Sequence, residues 1–486
     1  MSTDLWSRFE QTVRLGPHRS AIEIADEACD FAALRARALS FAGGLAARGV
    51  KPGDRVLLQV ENEVDCAAVI LATWARGGIA VLVDSEERAP HLEQAIAKSE
   101  PRVVVDDPGE LAADPTGATA AIETDAPASI LFTSGSTGSP KGVTQTHASL
   151  ALGCDTVGDL LGLSKHDRIL CPVPWSFDYG YGQLLSTFLR GATQLLPAAG
   201  PAGPWQALAT RSPTVLAGIP SFYAYLLHGP VRGEPGDGAS LRAITSTGGA
   251  LPGADVHALL ERFPRAQLFL NYGLTESYRS SCLDPALAAA HSDSIGRAIP
   301  GVDLLVLRED GSQAEPGETG EIVHCGGPLF SGYWRDADAT SRALRADPRD
   351  PSAARVLFTG DLGHFDATGL LYFDGRRDHQ LKSMGVRVGP GEVERLLLES
   401  DLLAEVAVFG QPHDLIGDEV WAAIVLREPG RKALRSLEAH AHRKLSRYAK
   451  PRRYLELEAL PRTSTGKVDY PALSALAASD ATRSLR

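Results

Sequence analysis

A loop of glycines and hydroxyls constrains this chain more than any other feature. It lies within Ile130-Leu-Phe-Thr-Ser-Gly-Ser-Thr-Gly-Ser-Pro-Lys-Gly-Val143. Residues 129–132 read as a short apolar strand, Thr133 leads out of it, and the loop ends at Lys141. Glycine has no Cβ, so backbone N–H groups beside it can turn inward and approach an anion closely. Gly135 and Gly138 supply that freedom, Ser134, Ser136 and Thr137 add hydroxyl donors, and Lys141 adds positive charge. The combination is a cradle for a polyphosphate. It departs from the common nucleotide loop that ends in Gly-Lys-Ser/Thr. Here Pro140 precedes the lysine and Gly142 follows it, and a proline there blocks a helix from starting in the usual way.

A chain of 486 residues exceeds what one hydrophobic core holds and predicts two or more domains. With 44% hydrophobic and 22% charged residues, it reads as an ordinary globular protein. A net charge of −12 argues against a nucleic acid partner, whereas ATP needs only a local positive pocket. The basic stretch 443–453 fits a solvated helix face or a docking surface for an acidic carrier. Cys29, Cys66, Cys154, Cys171, Cys282 and Cys325 form no close pairs and no zinc spacing, so they read as reduced, mostly buried thiols. That usage, with no apolar signal core at the N-terminus, predicts a cytoplasmic protein. The apolar run 67–83 is broken by Arg76 and two glycines, so no membrane insertion is expected. A monomer or homodimer is expected.

Apolar spacing predicts a helix over 31–48 ending at Gly49, a strand over 55–60, a helix over 64–76 and a strand over 79–83. A helix over 91–99 and a strand over 102–105 follow. This alternation implies parallel sheets covered by helices. Residues 229–238, rich in Gly and Pro, read as a surface loop. From residue 302 the texture changes to short strands over 303–307, 321–324 and 370–373, separated by turns at Gly311 and Gly317. About a hundred residues remain beyond Asp378, enough for a compact α+β domain. The expected class is α/β: a large N-terminal domain, 1–377, with helix-covered mixed or parallel sheets and a small β subdomain, then an α+β C-terminal domain, 378–486.

Two further segments carry chemistry. In Asn271-Tyr-Gly-Leu-Thr-Glu276, which follows a strand-like 267–270, Tyr272 beside Gly273 can lie flat on an adenine ring. Thr275 can bond an α-phosphate, and Glu276 offers the hard oxygen that Mg²⁺ takes alongside phosphate oxygens. In Thr359-Gly-Asp-Leu-Gly363, a carboxylate on a tight turn, Asp361, can accept both hydroxyls of a ribose.

These segments, in this order and with further motifs down to residue 467, resemble the adenylate-forming superfamily of acyl-CoA synthetases, nonribosomal peptide synthetase adenylation domains and firefly luciferase. The resemblance covers nearly the whole chain. It implies ATP and Mg²⁺ as reactants at the phosphate loop, with Asn271, Tyr272, Gly273, Gly248, Gly249 and Ala250 in the nucleotide site, Asp361 on the ribose and Arg376 beside it. It makes Asp378 the hinge of a mobile C-terminal domain. Gly385 would line the tunnel for a pantetheine thiol, with a plain turn as the alternative. Lys467, in Pro461-Arg-Thr-Ser-Thr-Gly-Lys467, would meet the acid's carboxylate and the α-phosphate together.

The implied reaction is an AMP-forming ligation of a carboxylic or amino acid to a thiol, either CoA or the phosphopantetheine arm of a separate carrier protein. Trp175-Ser-Phe-Asp-Tyr-Gly-Tyr-Gly-Gln183 resembles the segment that enters the acid pocket and supplies Phe177, Asp178, Tyr179 and Gly182. Thr245, Thr247, Asn271 and Arg279 complete its expected wall. Asp178 either pairs with a substrate ammonium or serves a structural turn. The polar wall favours a small polar acid over a fatty one. No carrier motif follows Lys467, so a stand-alone ligase is expected. A non-catalytic nucleotide- or carrier-binding relative would have lost Lys467, Glu276, Asp361 or the loop, and all are present.

Overall fold

The computed structural model describes residues 4–24, 27–85, 89–113, 119–133, 140–377, 381–383, 386–413, 417–428, 430–445, 449–463 and 466–484. Contacts divide the chain into two compact units, one of residues 1–304 and 323–358, the other of 305–322 and 359–486. The division assigns the short strands around 305–322 and 359–376 to the C-terminal unit. The expected hinge at Asp378 lies outside the described residues.

In the first unit, one sheet runs in the order Gly332–Tyr333, Lys141–Thr146, Pro127–Thr133, Ile79–Asp84, Arg55–Val60, Val103–Val105. The last four strands are mutually parallel and the first two antiparallel to their neighbours. A second sheet is built on the parallel strands Gln267–Tyr272, Ala243–Ser246, Val215–Gly218, Arg168–Leu170, Thr193–Leu196 and Ser20–Ile24. Antiparallel strands Ser281–Leu283 and Ser294–Ala298 extend it. The sheets are therefore mixed, as the sequence implied.

Helix Phe31–Ala47 starts where Asp30 accepts a hydrogen bond from Ala33 N at 2.7 Å, which satisfies one orphan N–H of the first turn. Helix Val64–Ala75 is buried at every position from Cys66 on, because it carries no charged face to offer solvent. Trp74, on that helix, meets Phe188 edge-on at 6.0 Å and donates its indole N–H to Ala128 O at 3.1 Å. The core of this unit thus forms around aromatic contacts between elements more than a hundred residues apart.

In the second unit, residues 361–365 of strand Val356–Phe365 pair antiparallel with Leu371–Arg376. The C-terminal sheet runs Val386–Val388, Leu381–Ser383, Gly417–Leu426, Leu403–His413, with Arg453–Glu456 added parallel to Gly417–Leu426. Alternation along Leu403–His413 sends Val408 to one face, with Val393, Leu397 and Leu437, and Ala407 and Phe409 to the other, with Leu473 and Ala477. Helices Pro390–Leu398 and Arg431–Lys444 cover the first face and Tyr470–Ser484 the second. This is the expected small α+β domain. Between helix and sheet sits the carboxyl of Glu394, which accepts from Val408 N at 2.7 Å and Tyr470 OH at 3.3 Å. Burial pushes it up to about 7.

All six cysteines are unpaired, and five of them, Cys66, Cys154, Cys171, Cys282 and Cys325, are buried. No helix among the described residues is long and apolar enough to cross a membrane.

Candidate active site

The first unit gathers most of the expected residues. Thr133 and Lys141 face each other across the antiparallel pair Pro127–Thr133 and Lys141–Thr146, so the two ends of the glycine loop are held in register. Ser134, Gly135, Ser136, Thr137 and Gly138 lie outside the described residues. The ammonium of Lys141 sits 5.2 Å from the centre of the Tyr333 ring, a cation–π distance. Tyr333 in turn donates its hydroxyl to Glu276 Oε1 at 2.8 Å. Strand Gly332–Tyr333 reaches this position by pairing with Lys141–Thr146, Tyr333 opposite Val143.

The segment after strand Gln267–Tyr272 is pinned from three sides. Gln145 Nε2 donates to Thr275 O at 2.9 Å, and Phe330 N donates to Glu276 O at 2.8 Å. Thr275 Oγ1 donates to Asp178 Oδ2 at 3.1 Å. A chain of direct contacts therefore runs from the Lys141 ammonium through Tyr333, Glu276 and Thr275 to Asp178.

Asp178 opens helix Asp178–Arg190 after Phe177, and its Oδ1 accepts from Tyr179 N at 2.9 Å. A carboxylate in a first helical turn complements the free N–H groups there. Gly180 makes this start possible. A Cβ at Gly180 would stand 2.2 Å from Pro174 O and 2.5 Å from Val173 O, so only glycine admits the backbone of the incoming segment. Both oxygens of Asp178 thus have partners within the protein.

Tyr179 is buried and donates its hydroxyl to Thr245 O at 2.7 Å, as Tyr223 does at 2.9 Å. Burial holds the Tyr179 phenol well above its ordinary range, so it stays a hydrogen-bond donor. Asn271, also buried, places Nδ2 within 2.9 Å of Thr245 Oγ1, 3.1 Å of Ser246 O and 3.0 Å of Phe269 O. Its amide ties two parallel strands together. Thr247 Oγ1 donates to Asn271 O at 3.2 Å. Gly248, Gly249 and Ala250 follow on an exposed loop, and Tyr272 is buried with Gly273 beside it.

A cavity of about 20 Å³ lies among Asp178, Tyr179, Gly182, Gln183, Tyr278 and Arg279. Tyr278 enters it at a positive φ of 58° and lies over Gly153, where a Cβ would meet its ring at 2.5 Å. Gln145, Tyr278 and Tyr333 are contacts that reading the sequence missed. Tyr333 carried one faint signal: an aromatic beside Gly332, in a stretch with no apolar periodicity to bury it.

The remaining expected residues belong to the second unit. Asp361 and Arg376 are register partners on Val356–Phe365 and Leu371–Arg376, with Arg376 Nη1 3.3 Å from Asp361 Oδ1. Asp361 N donates to Thr359 Oγ1 at 3.1 Å, and Gly360 N donates to Glu321 Oε1 at 3.1 Å. Lys467 is exposed on a tight turn in which its carbonyl accepts from Thr463 N at 2.8 Å. Arg462 anchors that turn by donating to Gly466 O at 2.9 Å and to Glu405 at 2.6 Å. Gly385 lies outside the described residues.

Lys141, Tyr333, Glu276, Thr275 and Asp178 are thus linked by direct contacts within one mixed α/β unit, and Asp178 reaches the wall of the cavity. The family described as AMP-binding enzyme matches residues 9–334, and AMP-binding enzyme C-terminal domain matches residues 392–467. The chain belongs to the AMP-binding enzyme family, the adenylate-forming class of acid–thiol ligases.

It is 30% identical to a sulfoacetate–CoA ligase of Cupriavidus necator, over 91% of each chain. It is 28% identical over 96% of its length to a delta-poly-L-ornithine synthetase of Acinetobacter baumannii, but spans only 36% of that protein. Among solved structures, ATP-bound MatB from Rhodopseudomonas palustris superposes with a TM-score of 0.86 at 27% identity, covering 98% of this chain and 99% of that one.

Proposed function

We propose that the chain activates a small carboxylic acid as its acyl adenylate and passes the acyl group to the thiol of CoA. The observation that carries this reading is the run of contacts Lys141–Tyr333–Glu276–Thr275–Asp178, which links a cation, a hard carboxylate and a hydroxyl to Asp178 on the wall of the cavity. In the first step a carboxylate oxygen attacks the α-phosphorus of ATP, the bond from that phosphorus to the bridging oxygen breaks, and pyrophosphate leaves. Two anions must meet, so the site's work is neutralising charge and fixing geometry. Lys141 and the glycine loop hold the β- and γ-phosphates, Thr275 the α-phosphate, and Asp361 with Arg376 the ribose. Lys467 bridges carboxylate and α-phosphate. In the second step the thiol adds to the acyl carbon, its proton is lost, and AMP departs.

The described residues contain no cluster of three or more metal-type side chains. Glu276 alone brings a hard carboxylate here, which fits Mg²⁺ arriving with the nucleotide, since that ion commonly takes one or two carboxylates and completes its shell with phosphate and water. Bound there, it would offset charge on the phosphate oxygens.

Asp178 is read as the residue that positions Thr275, because both of its oxygens are engaged. CoA as acceptor is supported by the CoA ligase aligned over nine tenths of both chains. The test is pyrophosphate exchange into ATP across a panel of acids, followed by AMP release with CoA or a phosphopantetheinyl carrier as thiol. Acid-dependent exchange with stoichiometric loss of CoA thiol is expected. Exchange without thiol consumption would limit the enzyme to the first step, and release of ADP or inorganic phosphate would sink the reading.

A further inference from the structure

Arg279 is 4% exposed, and its Nε and Nη1 are shut from solvent with no hydrogen-bond partner. Its guanidinium lies 5.4 Å from the centre of the Tyr179 ring, which Thr245 O fixes in place. Among the described residues, no carboxylate pairs with it. Gln183, equally buried across the same cavity, leaves Oε1 without a partner.

A guanidinium cannot escape burial by giving up its proton. Left without an anion in a low-dielectric site it is strongly unfavourable, and an aromatic face offsets only a part of that. Asp178 is the carboxylate on the wall of this cavity, yet it accepts from Tyr179 N and Thr275 Oγ1 and forms no ion pair with Arg279. The missing partner is therefore an anion that enters the cavity.

Resting on the reading of this cavity as the acid pocket, we propose that the substrate carries a second anionic group, a carboxylate or sulfonate, which pairs with Arg279 while the first carboxylate is activated at Thr275 and Glu276. Arg279 stands only four residues beyond Thr275, and the cavity is small. Short diacids are therefore the first probes to test.

The experiment is pyrophosphate exchange with the full chain and matched acids: malonate, succinate and sulfoacetate, each beside a neutral analogue such as propionate, butyrate or the succinate monomethyl ester, and beside β-alanine. The unaltered protein should favour a dianionic acid over its neutral analogue at least about 100-fold in kcat/KM, the size expected when a buried charged group is left unpaired. In Arg279→Met that ratio should collapse towards one. Equal use of dianions and neutral acids, or preference for β-alanine, would overturn the proposal while leaving the ligase reading intact. No exchange with any acid would instead fail the ligase reading itself. Because the panel on the unaltered protein decides alone, an unstable variant does not rescue the idea.

Discussion

Replacing Glu394 by glutamine should make the C-terminal unit more stable at neutral and alkaline pH. The carboxyl is enclosed between helix Pro390–Leu398, strand Leu403–His413 and Tyr470, and burial raises it from 4.5 to about 7. Below pH 4.5 both the folded and the unfolded chain hold the proton, and the carboxyl costs nothing. Between 4.5 and about 7 the folded state keeps a proton that the unfolded chain has released, so stability falls as pH rises. Above 7 the folded unit must carry the buried charge, and the loss is complete. The interval corresponds to about 3 kcal/mol, or a melting shift on the order of 10 °C for a unit of this size. Glutamine still accepts from Val408 N and never ionises. Thermal or denaturant unfolding of wild type and Glu394→Gln, run from pH 4.5 to 8.5, isolates this group, since all others cancel in the difference. The curves should diverge steadily up to pH 7 and then run parallel, with the variant above. Parallel curves throughout would mean that Glu394 is solvated, and the burial argument would fail.

Lys467→Ala should lower acid-dependent pyrophosphate exchange at least about 100-fold, since one oriented charge contributes roughly 3–4 kcal/mol in such a transition state. Thioester formation from supplied acyl adenylate should change much less, and equal loss of both would remove the assigned role. Tyr333→Phe removes the hydroxyl that orients Glu276 and should raise the Mg²⁺ needed for half-maximal exchange roughly tenfold. An unchanged Mg²⁺ dependence would show that Glu276 needs no such support. His324, buried and bonded to Ser280 Oγ and Gly326 O, is pushed down to about 4 by desolvation. Its contribution is present above pH 6.5 and is lost as pH falls through 4, so His324→Gln should flatten the acid limb of unfolding by about 3 kcal/mol. A limb of unchanged slope would assign acid lability to other groups.

The elements that chain-local physics decides were legible. Strand Arg55–Val60 and helix Phe31–Ala47 carry their periodicity and their stops in the sequence, and Gly49 adopts the left-handed φ of 76° that a terminating glycine supplies. Strand Gln267–Tyr272 runs two residues past the expected 270 for a physical reason. Asn271 looks like a turn residue, but its amide is consumed by neighbouring strands. Thr275, Glu276, Asp178 and Arg279 stand in motifs that the sequence displays. Their partners could not be read there, because Gln145 to Thr275 spans 130 residues and Thr275 to Asp178 spans 97. Contacts at that separation depend on strand register and sheet order, which no local pattern records.

The thiols described above have a consequence for a protein that makes a reactive anhydride. An acyl adenylate is discharged by any thiolate that reaches it, and thiolate, not thiol, is the nucleophile. Burial pushes Cys154, Cys171 and Cys282 up to about 12 and Cys66 and Cys325 up to about 11. Near neutral pH only about one in 10⁴ to 10⁵ of these sulfurs is then ionised. These five sulfurs therefore stay protonated near neutral pH and compete poorly with an incoming thiol for any activated acyl group.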